Sequence, residues 1–121
     1  MVTVPTEDGD VTVAMSVPRS SRTTGGPITC RITGPGVDLV CEWADWLVTT
    51  NRGWAHLRGK GRSSDRTVPF RCDAYSARAN GEDGPDVLAI RIYAPDADPG
   101  TDGPVAKLTL SLPSGSVRLG A

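Results

Sequence analysis

Two short stretches of this chain carry side chains able to do chemistry. In Glu42-Trp43-Ala44-Asp45-Trp46, two carboxylates stand three residues apart among two indoles; in Trp54-Ala55-His56-Leu57-Arg58, the single His lies between an indole and a guanidinium on one face of an alternating segment. A general base needs a substrate proton within reach and is commonly held by an orienting carboxylate, a place that Asp45, Glu42 or Asp73 would fill from a neighbouring strand. Tyr75 and Tyr93 add two phenols, so a catalytic reading would draw on Asp45, His56, Tyr75 and Tyr93. Glu42 and Asp45 fall on opposite sides of a regular strand, and pairing them as acid and base requires irregular backbone. The plainer readings are a rim position for His56 and core packing for the tryptophans.

Binding is the second chemistry on offer. If exposed, Trp43, Trp46 and Trp54 would line a pocket or stack on a sugar, because their faces are large and their N–H groups seek partners. Arg58, Lys60 and Arg62, in a basic loop expected from Arg58 to Arg66, would touch an anion or a polysaccharide. Gly59-Lys60-Gly61 has neither the further glycine of a dinucleotide fingerprint nor the Lys-Ser/Thr ending of a phosphate loop. Asp96, Asp98 and Asp102 form an acidic loop that offers calcium its oxygens, with Glu82, Asp83 and Asp86 as further acids. Their spacing is not that of an EF-hand loop, so a solvated loop is the default, and no metal or cofactor is expected.

The three cysteines raise a redox question. A two-residue turn centred on Pro35-Gly36 would set Cys30 directly opposite Cys41 across a hairpin. They are then either a cross-strand disulfide or two small reduced core residues. Cys72 alternates with Val68, Phe70 and Ala74 and is expected to be buried. One His and no Cys-x-x-Cys argue against zinc.

The elements that must position these residues are strands. Nowhere do apolar residues recur at helical spacing over a helix-length window, whereas period-two alternation recurs throughout. Val11, Val13 and Met15 share one face of an early strand, Ile28, Cys30 and Ile32 of the next, and Leu39, Cys41 and Trp43 of a third. Further strands are expected near Asp45–Thr50, Trp54–Arg58, Thr67–Tyr75, Val87–Tyr93, Val105–Leu112 and Ser116–Leu119. The total is about nine or ten short strands, at the ~8–12-residue spacing of sandwiches and barrels. The expected fold is all-β, a single-domain antiparallel β-sandwich or flattened β-barrel over residues 1–121, its strands separated by basic loops at Pro18 to Thr24 and Arg58 to Arg66 and acidic ones at Glu82 to Asp86 and Asp96 to Gly103.

Composition agrees. In 121 residues, 14 Gly and 10 Pro beside a 38% apolar share describe frequent turns between buried segments rather than disorder. A net charge of −1 argues against a general nucleic-acid or anionic-membrane binder. No run approaches the ~20 apolar residues of a membrane-spanning helix. The opening Met1-Val2-Thr3-Val4-Pro5 lacks an export signal, which fits a cytosolic protein, or equally a mature domain whose signal lies elsewhere.

The Trp46-Leu47-Val48 strand, the glycine-bounded Trp54 strand ending in Gly59-Lys60-Gly61, the Phe70 strand, Ile90-Arg91-Ile92-Tyr93 and the terminal Gly115-Ser116-Val117 together resemble the post-COAP module. This is a small β domain near the C-terminal ends of bacterial secreted and surface proteins. The resemblance covers about Gly26 to Leu119; after Tyr93 the chain departs from it with Ala94-Pro95 and the long acidic loop. It implies the all-β fold and an extracellular or cell-surface setting, and it carries over no active site. The expected function is a non-catalytic accessory module with a structural, adhesive or ligand-binding role, its partner a polysaccharide, a protein or a small hydrophobic ligand. The alternative is a small β-barrel enzyme whose apolar cavity cyclises or isomerises a hydrophobic metabolite; a core filled by Trp46, Phe70, Ile90, Ile92, Leu108 and Leu110 would remove it.

Overall fold

Each alternating segment is realised as a strand with one wet and one buried face. The computed structural model describes residues 1–18 and 25–120, and among them lie ten strands: β1 (Val2–Thr6), β2 (Gly9–Val17), β3 (Gly26–Gly34), β4 (Val37–Ala44), β5 (Trp46–Thr49), β6 (Trp54–Ser63), β7 (Arg66–Tyr75), β8 (Asp86–Ile92), β9 (Ala106–Leu112) and β10 (Val117–Leu119). They form one sheet in the order β1-β2-β3-β4-β6-β7-β8-β9, with β5 paired to β6 and β10 to β2. The sheet curls into a nearly closed barrel shape, and all pairings are antiparallel except β10 with β2. The interior is filled by side chains from every part of the wall, among them Val13, Ile32, Leu39, Leu47, Phe70, Leu88, Ile90 and Leu112, all essentially inaccessible.

Closure depends on a buried carboxylate. β1 covers the first half of the β2 edge and β10 the second, through Val117 opposite Met15 and Leu119 opposite Val17. Where β10 comes up to β8, Asp86 is wholly buried; its Oδ2 accepts from the Val117 N–H and its Oδ1 from the Ala77 N–H, both at 2.8 Å. Two backbone donors that no strand partner reaches are satisfied at once. Asp86 therefore ties β8, β10 and the 3-10 turn Arg78–Asn80 together, and it stands apart from the acidic surface loop with which its type grouped it.

The strands differ from expectation at four places. β1 is an additional strand, paired from Val2 opposite Val13 to Thr6 opposite Gly9. The segment expected as a basic loop is a hairpin: β6 runs on to Ser63 and β7 begins at Arg66. Gly59 and Gly61 are not turn glycines. A Cβ on Gly59 would lie 3.1 Å from the Asp45 N and 3.2 Å from the Trp43 O, and one on Gly61 would lie 2.7 Å from Leu39 Cδ1. They let the corner between β4 and β5 cross close over β6. Trp43 does not share the inward face of Leu39 and Cys41. The pairing of β3 with β4 shifts between Pro27 and Cys30, Ala44 takes the buried place, and Trp43 is 55% exposed. The basic stretch expected after Pro18 lies outside the described residues.

Candidate functional site

Registers across β5 to β9 settle which outward side chains meet. Trp46 is opposite Arg58, Arg58 opposite Arg71, Arg71 opposite Arg91, and Arg91 opposite Lys107. One row across five strands therefore holds an indole and four cations. Adjacent strands lie about 5 Å apart, so the cations span roughly 15 Å. Like charges directly opposite one another in a sheet are destabilising, and among the described residues none of the four forms an ion pair; the one present is His56 with Asp73. The Arg58 guanidinium instead lies 4.6 Å from the Trp46 ring centroid, a cation–π contact. Buried Arg71 Nε has no hydrogen-bond partner among the described residues.

The next row holds Val48, His56, Asp73, Ala89 and Thr109. Here His56 Nδ1 meets Asp73 Oδ1 at 2.7 Å, with side chains 39% and 52% exposed. At that exposure the pair contributes no more than about 1 kcal/mol to stability. Beyond it Trp54 faces Tyr75. The Trp54 ring stacks on His56 at 5.9 Å and 5°, and packs against Tyr75 at 5.1 Å. Tyr75 Oη accepts from Asn80 Nδ2 at 3.0 Å.

Two grooves flank the cationic row, and Trp46, Arg58 and Arg71 line both. One, of about 340 Å³, adds His56, Asp73 and Arg91. The other, of about 390 Å³, adds Asp45, Lys60 and the loop residues Asp98 to Gly100. The acidic loop thus forms a rim. Its carboxylates are partly committed to its own turns: Asp98 Oδ1 accepts from the Gly100 N–H at 2.9 Å and Asp102 Oδ2 from the Asp98 N–H at 2.8 Å. Among the described residues no three His, Cys, Asp or Glu side chains converge to hold a metal, and Asp96, Asp98 and Asp102 form no such cluster.

The residues singled out from sequence divide accordingly. Trp46, Arg58 and Lys60 lie together; Arg62 is exposed further along β6, and exposed Trp43 lies at the bulge. His56 and Tyr75 are joined through Trp54, and the orienting carboxylate is Asp73. Asp45 sits in the rim groove, while Tyr93 is buried with its N–H donating to the Pro69 carbonyl and lines a separate groove with Val68 and Pro95. The four catalytic candidates do not converge. Arg71, Arg91 and Lys107 were missed because their meeting depends on register, not on local pattern.

Cys30 and Cys41 are register partners as expected, across a Pro35-Gly36 turn in which Gly36 takes φ +72°, the positive angle of a type II turn. Both, with Cys72, are free thiols. Burial pushes Cys30 up to about 12 and raises Cys72 well above its ordinary value; burial also raises Cys41, whose Sγ donates to the Trp43 carbonyl at 3.0 Å. Protonated thiols are poor nucleophiles and poor metal ligands.

The fold and this face define a barrel-like all-β protein with a cationic, indole-ended stripe on its outer wall. No family model, no curated protein and no solved structure matches the chain.

Proposed function

We propose that this chain is a non-catalytic binding module that takes its ligand on the outer face of β5 to β9, an accessory domain of a bacterial secreted or surface protein as its resemblance to the post-COAP module implies. The observation that carries the reading is the row Trp46-Arg58-Arg71-Arg91-Lys107. A sheet gains nothing in stability from four stacked cations, so their alignment makes sense as a surface for something outside the chain. The absence of convergence among Asp45, His56, Tyr75 and Tyr93 supports binding over catalysis. So does an interior occupied by Phe70, Ile90, Ile92 and Leu110, with Leu108 packed against it. Trp46, expected as core filler, instead stands on the outer face.

The test is retention of the protein on immobilised polygalacturonate, heparin, dextran and xylan, beside a Trp46→Ala/Arg58→Gln variant. Retention on at least one polymer, lost in the variant while its circular dichroism stays the same, is expected. Equal retention of both proteins, or none on any polymer, contradicts the reading.

A further inference from the structure

The row has more chemical detail than a generic basic patch. Its cations stand in single file, one per strand, and carboxylates border the file: Asp73 in one groove, Asp45 and Asp98 in the other. A carboxylate is an acceptor only and must be met by donors. Asp73 Oδ1 and Asp98 Oδ1 already meet His56 and the Gly100 N–H. The second oxygen of each, with Asp45, favours a ligand that brings acidic groups at intervals along its length and hydroxyl or similar donors to either side. The aromatic groups narrow the choice. Single-stranded nucleic acid is held by open aromatic faces on which bases stack, but here Trp46 is covered by the Arg58 guanidinium and Trp54 is stacked on His56 and packed against Tyr75. An acidic peptide offers one backbone N–H donor per residue, whereas each ring of a polysaccharide carries several hydroxyls for Asp45, Asp73 and Asp98.

We infer that the face binds a linear acidic polysaccharide lying across the strands, its carboxylate or sulfate groups against Arg58, Arg71, Arg91 and Lys107 and its hydroxyls toward the flanking carboxylates. This rests on the binding-module reading above. Arg71, in the middle of the row, forms no ion pair among the described residues, and its guanidinium gains an acceptor when the acidic group arrives. Trp46 closes one end of the file and gives a sugar ring an apolar edge to lie against.

The experiment is isothermal titration of the whole protein with polygalacturonate and heparin oligosaccharides, neutral dextran oligosaccharide, oligo(dT) and polyglutamate over a series of salt concentrations. One or both acidic oligosaccharides bind, and which one distinguishes carboxylate from sulfate. Arg58→Gln, Arg71→Gln, Arg91→Gln and Lys107→Gln each weaken that binding roughly threefold to tenfold and lower the salt slope by roughly one. Arg31→Gln, an exposed cation on β3 away from this face, leaves the slope within error. Preference for oligo(dT) or polyglutamate overturns the inference, as does tight, salt-independent binding of dextran, which would leave a binding face with a different ligand. Binding of none of the five overturns the inference and the binding-module reading together.

Discussion

At the level of single residues, Arg91 and its neighbours in the row offer the sharpest contrast between folding and function. Arg91 is exposed, faces Arg71 on one side and Lys107 on the other, and makes no ion pair among the described residues. Replacing it with Gln removes two opposed like-charge contacts. Thermal or urea unfolding of Arg91→Gln should show stability unchanged or raised by about 0.2–1 kcal/mol, even as ligand binding weakens. A stability loss beyond 1 kcal/mol would mean that the guanidinium serves the fold. The cysteines make a second residue-scale prediction. A thiol whose ordinary value is 9.0 but which holds its proton to about 12 when folded, as Cys30 does, leaves the unfolded state with fewer bound protons between those values. Its stabilising contribution is complete below about pH 9 and declines as pH rises through that window, by up to ~1.4 kcal/mol per pH unit for each such thiol. Urea unfolding at a series of alkaline pH values should show the decline, shallower in Cys30→Ala. A thiol-specific reagent should find no accessible sulfur at neutral pH until the protein unfolds.

The strands and turns set what was legible in advance. Alternation was enough to place most strands, because a period of two with one apolar face has a single arrangement in a half-buried sheet; Ala106 to Leu112 shows it most plainly. Reading Arg58 to Arg66 as a loop removed the second half of β6. With it went the count that sets Arg58 opposite Arg71 across the Ser64-Asp65 turn. The further steps to Arg91 and Lys107 cross long loops whose lengths carry no register. Trp43 was misplaced for a related reason, since a bulge shifts the inward face by one residue and leaves no mark in composition. Two substitutions examine these elements. Gly59→Ala sets a Cβ against backbone atoms of Trp43 and Asp45, and a loss of about 1–3 kcal/mol is expected. Asp86→Ala leaves two buried N–H groups without an acceptor, which should destabilise by about 2–5 kcal/mol and speed amide exchange at Val117 before the rest of the core. If Val117 exchanges no faster in that variant, the carboxylate does not hold β10.

Considered whole, the molecule is a barrel-like sheet whose packed interior and charged wall have separate tasks. The interior was visible in the sequence as a folding specification, and it left the chemistry to the outward positions. The wall carries the cationic file, bordered by carboxylates on a chain of net charge −1, so attraction is confined to one stripe. The most direct test is a two-dimensional proton–nitrogen NMR titration of the labelled protein with whichever acidic oligosaccharide binds it most tightly. The account predicts that shifts concentrate at Trp46, including its indole N–H, and at Arg58, Arg71, Arg91 and Lys107, while the β2 and β3 amides stay in place. Shifts centred on β2 and β3, or none at saturating ligand, would contradict it.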